Sequence, residues 1–351
     1  MFPRMIEVKQ HIPSPELEDY VAVIKDELKK KNLSQKIKPG SKIAITAGSR
    51  GIAHYAEILT TIVQEVKQAG GTPFLVAAMG SHGGATPKGQ LQVLQSLGIT
   101  SDTVGAPIYS SMEVDEVGRL ENGAAVYVDR TALKADGIIV VGRVKPHTDF
   151  KGLIESGLLK MLAIGLGKQK GAEMIHWYKT EGYHKLISAA AKLIIKKAPI
   201  LLGLAIVENA KHKIALVKAL NPEEFEREEM KLLKKAKHLL ARLPLKEIDV
   251  LIVDEIGKNF SGVGMDTNVI GRFWIPGESD PRTPKINRIV VLGLSDETHG
   301  NAIGIGLADL TTRRVISNID YDSTFVNCLT TGFTDQAKIP IFLPNDRDAI
   351  S

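Results

Sequence analysis

Short apolar runs alternate with amphipathic stretches along most of this 351-residue chain, and the joints between them are rich in glycine. Lys42 to Thr46 reads as a buried strand, with the turn Gly48-Ser-Arg-Gly51 after it. Over Ala53 to Ala69 the residues Ile58, Ile62 and Val66 recur at helical spacing, and Gly70-Gly71 ends the pattern. The unit then repeats as a strand over Pro73 to Met79, a turn Gly80-Ser-His-Gly-Gly84 and a helix over Lys88 to Leu97. Further apolar strands are predicted at Ile138 to Val144, Leu201 to Val207, Val250 to Val253 and Ile289 to Leu294, and a long Lys/Glu-rich helix from Pro222 to Leu243.

Strands that alternate with helices pair in parallel through crossovers and are covered on both faces. The expected fold class is therefore α/β, with two domains, each a mainly parallel sheet flanked by helices, and an active site in the cleft between them. The boundary falls near Pro244. Residues 1–245 would form an N-terminal catalytic and cofactor-binding domain, and residues 246–335 a C-terminal domain closing the cleft. Residues 336–351 can rejoin the first domain, with Ile339-Pro-Ile-Phe-Leu343 as an edge strand, because Pro340 has no N–H for a sheet interior.

Composition narrows the class. A hydrophobic content of 44% is enough to bury a core along the whole length. No apolar run reaches the roughly 20 residues that span a bilayer, and Met1 to Pro15 lacks the apolar region of a secretory signal, so a cytoplasmic location and no membrane partner are expected. The single cysteine, Cys328, can form neither an internal disulfide nor a four-thiolate metal site, so any metal must be held by His, carboxylates or a cofactor. Lysine clusters at residues 29–31, 196–197 and 231–237 lie on helical segments, and aromatics make up only 5%, which argues against nucleic acid as a partner. The net charge of +5 favours small anionic substrates.

In open parallel sheets ligands bind beyond the carboxyl ends of the strands. Arg50 lies four residues past Thr46, His82 three past Met79, and His147 three past Val144. One histidine in such a loop is ordinary; three strand ends delivering Arg, His and His form a constellation. The loop Ala47 to Gly51, before a helix, also offers backbone N–H groups to a phosphate or carboxylate. Lys160 sits among Leu158, Leu159, Met161, Leu162 and Ile164. A lysine in apolar company snorkels, pairs or loses its charge, and a neutral one is a nucleophile. Gly165, Gly167 and Gly171 do not make a dinucleotide fingerprint, since the third glycine is one residue late and no clear strand precedes them. His176, sixteen residues after Lys160, can ligate Ni, Zn or Cu, but no histidine stands at i+4 to complete a helical pair. Past the strand ending at Val253, Lys258 can reach an acidic substrate, and His299 is similarly placed past Leu294.

These residues, in this order, resemble the lactate racemase family that uses a nickel-pincer nucleotide. The resemblance is clearest from Lys42 to Lys179 and rests on Gly48-Ser-Arg50, Gly80-Ser-His82, Pro146-His147 and the Lys160–His176 pair. It implies a nickel(II) pyridinium-3,5-bisthiocarboxylic acid mononucleotide tethered through Lys160, with His176 on the nickel and with Thr46, Gly48 and Ser49 at the cofactor. It implies His82 and His147 as an acid/base pair, and Arg50 and Lys258 as contacts to the substrate. The implied activity is racemisation or epimerisation of a 2-hydroxy acid by hydride abstraction and return, with the cofactor installed by maturation proteins. Glu255 stands where the family pattern has a neutral glutamine, which points to a substrate other than lactate or to a different register of the match. Two other readings of the residues stay open: an oxidoreductase using a free nicotinamide nucleotide, and a non-catalytic protein binding an organic anion or nucleotide. Neither the substrate nor the oligomeric state follows from the sequence.

Overall fold

The computed structural model describes residues 4–275, 279–281 and 283–351. The chain forms two compact units. The first comprises Pro13–Pro146 and Lys151–Leu240. The second comprises His147–Phe150 and Ala241–Ser351, with the described part of the N-terminal segment up to Ile12.

The first unit is built on β1 (Lys42–Ala47), β2 (Thr72–Ala77), β3 (Ile108–Tyr109), β4 (Val114–Arg119), β5 (Ala125–Asp129), β6 (Gly137–Arg143), β7 (Ile200–Glu208) and β8 (Ile214–Leu220). Six of these form one sheet in the order β3-β2-β1-β6-β7-β8, while β4 and β5 make a separate antiparallel ladder. Every pair in the six-stranded sheet is parallel except β7–β8. The central strands β1, β2 and β6 are buried almost end to end, which is why they read as continuous apolar runs. The helix Tyr55–Gln68 crosses from β1 to β2 and packs Ile58, Ile62 and Val66 into the core, as its periodicity predicts. The antiparallel return of β8 was not foreseen. It depends on a tight turn in which the Asn209 side chain accepts from the N–H groups of Lys211 and Lys213 at 2.9 and 3.1 Å.

The second unit holds β9 (Glu247–Val253), β10 (Lys285–Val291), β11 (Leu310–Thr312) and β12 (Ile341–Leu343), all parallel, in the order β12-β11-β10-β9. Its core gathers Ile256, Met265, Ile289, Val291, Ile305 and Leu307. The segment with Pro340 does supply an edge strand, but of this sheet, where β12 pairs with β11, and not of the first. His147–Phe150 also belongs to this unit rather than to the first, because its carbonyls are held here. Thr267 Oγ1 donates to Thr148 O at 2.6 Å and Asn268 Nδ2 to His147 O at 3.1 Å, while Phe150 is fully buried.

No described helix is long and apolar enough to cross a membrane.

Candidate active site

Because β2, β1 and β6 are neighbouring parallel strands, their carboxyl ends lie along one edge of the first sheet. The loop after β1 carries Gly48, Ser49 and Arg50, and the loop after β2 carries His82. The two loops meet where the Ser49 hydroxyl hydrogen-bonds the Nδ1 nitrogen of His82. Arg50 and His82 are both exposed. The Gly48 N–H, expected as part of an anion cradle, instead donates to the Tyr55 hydroxyl at 2.7 Å. Burial pushes that phenol up to about 12, so it stays protonated. Thr46 is fully buried, and its hydroxyl accepts from the Val141 N–H at 2.9 Å. That side chain ties β1 to β6 inside the sheet, so Thr46 acts as a structural crosslink there.

Lys160 and His176 lie on one helical segment whose regularity is broken twice. An α-turn, Leu158–Lys160, passes into a π-helical stretch, Met161–Leu166, and then into an α-helix, Lys168–Trp177. In a straight helix sixteen residues would separate the two by roughly 24 Å. The break at Lys168, whose φ of 54° is left-handed, turns the second part aside. The Lys160 ammonium consequently acts on the His176 ring. Burial first, and that positive charge second, lower the His176 pKa to about 4. Its imidazole is therefore neutral near pH 7, the form that ligates metals. The glycines of this stretch serve packing: a Cβ on Gly165 would stand 2.6 Å from Met161 Sδ and 2.9 Å from Ala78 O. The Gly80 N–H, at the start of the His82 loop, donates to Gly165 O at 3.3 Å.

The start of the Lys160 turn is capped from the helix Phe225–Leu239. Glu229 Oε2 accepts from the N–H groups of Leu158 and Leu159 at 2.6 and 3.1 Å, and the side chain is fully buried. Only glycine fits at position 157, where a Cβ would lie 2.4 Å from the Glu229 carboxyl carbon. Burial raises the Glu229 pKa to about 7, against the opposing effect of the two N–H donors.

In the second unit the Nδ1 nitrogen of His147 accepts the Asp149 N–H at 3.0 Å, and its ring stacks on Phe150 at 4.3 Å between centroids. Lys258 is partly buried, and its backbone N–H donates to Thr298 Oγ1 at 3.1 Å. Glu255 is exposed and lines an open depression of about 620 Å³ with Asp254, Phe260, Leu292, Arg314 and Asp346. His299 is an exposed left-handed residue closing the short turn Asp296–Thr298.

Sequence reasoning missed Tyr55, Glu229 and a buried group of Lys168, Gln90 and Asp129. Glu229 had a visible sign, since it lies on the stripe that buries Phe225, Leu232, Leu233 and Ala236. Gln90 had a weaker one, since it shares a helix face with Leu94, and Lys168, between Gly167 and Gln169, had none.

Among the described residues, no group of three or more His, Cys, Asp or Glu side chains could hold a metal ion. A neutral His176 can serve as one protein ligand to a metal carried otherwise by an organic cofactor, and a Lys160 amine consumed in a covalent link would carry no half-buried charge. The residues present fit a lysine-anchored, metal-bearing group.

The family described as the lactate racemase N-terminal domain matches residues 4–181. No curated protein matches the sequence. Among solved structures, the lactate racemase apoprotein from Thermoanaerobacterium thermosaccharolyticum superposes with a TM-score of 0.55 at 13% identity. That alignment covers 95% of this chain and 83% of the other, and it shows a shared fold. Since the family match spans about half of the chain, this protein belongs to the lactate racemase family.

Proposed function

We propose that the protein is a racemase or epimerase of a 2-hydroxy acid, using a nickel-pincer nucleotide tethered through Lys160 with His176 as the nickel ligand. The observation that carries this reading is the broken helix 158–177, which holds Lys160 and a largely buried His176 on one segment; burial first, and the Lys160 charge second, keep that imidazole neutral. When bound, the nucleotide supplies a site that accepts a hydride from carbon 2 and returns it to either face.

The chain's own residues do the rest. Arg50 holds the substrate carboxylate as a planar, permanently charged fork, and Lys258 adds a second positive charge. His82 and His147 exchange the hydroxyl proton, one for each enantiomer. Imidazole suits the task because it titrates near neutrality. Ser49 at Nδ1 sets the tautomer of His82 and so which ring nitrogen faces the substrate. Glu229 fixes the backbone that carries Lys160.

The test uses protein matured in a nickel-replete host with a panel of enantiopure 2-hydroxy acids carrying deuterium on carbon 2. Inversion with the deuterium largely retained in ordinary water is expected for one member of the panel. Washout of the label during inversion, or no inversion of any member by fully loaded protein, overturns the reading.

A further inference from the structure

Three charged or amide side chains sit beneath the His82 loop with no exposed surface: Lys168, Gln90 and Asp129. The Lys168 ammonium donates to Ala77 O at the end of β2 and to Gln90 Oε1, the latter at 3.0 Å. It stands 3.3 Å from Asp129 Oδ2 in an ion pair. Because the Gln90 oxygen faces an ammonium, its amide nitrogen must face the other way. It donates to Gly80 O at 2.9 Å and to His82 O at 3.2 Å. Nothing else fits between the loop and the helix Pro87–Ser96. A Cβ on Gly83 would lie 2.6 Å from Gln90 N, and one on Gly89 would lie 1.9 Å from Gly83 O. Lys168 is also the left-handed residue at which the segment bearing Lys160 and His176 breaks. A lysine this buried and in this backbone conformation is unfavourable by itself, and burial holds its pKa below the usual range despite Asp129.

We infer that Lys168, acting through Gln90, is a positioning group that fixes the carbonyls of Gly80 and His82 and thereby the orientation of the His82 imidazole against Ser49. One buried ammonium thus ties together the end of β2, the His82 loop and the break before His176. The importance of this for turnover rests on the racemase reading; the orientation of His82 does not.

The test is histidine-selective ¹⁵N NMR of the unloaded full chain, so that it needs no cofactor or activity. In the wild type the two His82 ring nitrogens are expected at well-separated shifts, as one neutral tautomer held by Ser49. In Gln90→Met the carbonyl contacts are lost while the Lys168–Asp129 pair stays, and the two shifts should converge as tautomers average. Gln90→Glu keeps an oxygen toward Lys168 but cannot donate while ionised, and should behave like Gln90→Met. Lys168→Met should do the same, and if it fails to fold, the double variant Lys168→Met/Asp129→Asn, which leaves no buried charge behind, takes its place; an unchanged His82 pattern there overturns the part given to Lys168. In all of them the His147 signals should stay in place. An unchanged His82 pattern in folded Gln90→Met and Gln90→Glu overturns the inference. A wild type that shows the expected pattern but inverts no hydroxy acid once loaded overturns the proposed function instead.

Discussion

The two loops that carry the candidate acid/base histidines hold their rings by the same nitrogen in different ways. His147 accepts a backbone N–H at Nδ1, so its neutral ring must carry the proton on Nε2. His82 is held at Nδ1 by a side chain instead, the Ser49 hydroxyl. The supports differ as well. The His147 loop is gripped by neutral side chains, Thr267, Asn268 and Gln336, the last donating to Asp149 Oδ1 at 3.1 Å. The His82 loop rests on a buried ion pair acting through an amide.

The largest effect expected concerns the rings themselves. His82→Ala and His147→Ala should each lower kcat by about 10²–10⁴ in loaded enzyme, with a stability cost of less than about 0.5 kcal/mol at exposed His82 and about 1 kcal/mol at His147, which loses its hydrogen bond to the Asp149 N–H. If only one matters in both directions of inversion, the comparison fails. Chiral chromatography started from each enantiomer reads this.

Next come the supports. Lys168→Met leaves Asp129 charged and buried, and should cost on the order of 3–5 kcal/mol in urea unfolding. Adding Asp129→Asn should recover part of that loss. Asn268→Ala, which removes a neutral hydrogen bond from the other loop, should cost only about 1 kcal/mol. Equal losses at the two loops would erase the distinction between charged and neutral support.

A smaller effect depends on pH. Glu229 has its folded pKa raised to about 7 from an ordinary value of 4.5. Between those values the folded chain keeps a proton that the unfolded chain has lost, so stability falls as pH rises through this window, and the penalty is complete above about pH 7. Replacing Glu229 by Gln should flatten the profile between pH 5 and 8, removing a difference on the order of 2 kcal/mol. A parallel profile in wild type and Glu229→Gln would refute the assignment.

Smallest of all, Ser49→Ala should slow turnover by about tenfold or less, because one hydrogen bond to a correctly placed ring is worth roughly 1 kcal/mol. Chiral chromatography of loaded enzyme checks it, and a loss above about a hundredfold would show that Ser49 does more than hold the ring.

How much of this was legible beforehand follows from where each residue lies. The central strands β1, β2 and β6 announce themselves because burial on both faces leaves an unbroken apolar run. Arg50, His82 and His147 stand out because they interrupt glycine or proline turns just past those runs. The hairpin β7–β8 was less visible, since its turn is set by one asparagine side chain. The placement of His147–Phe150 in the second unit was not visible at all, because it depends on Thr267 and Asn268 more than a hundred residues away. The same is true of Gln90 and Lys168, which meet across 78 positions. Local pattern reports burial and turns, whereas it says nothing about which distant polar groups find one another. The glycine-rich turn Ala47 to Gly51 was legible, whereas the Tyr55 hydroxyl that takes up the Gly48 N–H was not.

Whether Lys160 anchors the cofactor is decided by intact-mass spectrometry of a preparation that racemises a 2-hydroxy acid. A covalent adduct is expected on the active protein and should disappear, together with activity, in Lys160→Ala. An active preparation with the unmodified mass of the bare chain, or a Lys160→Ala protein that keeps both adduct and activity, would contradict it.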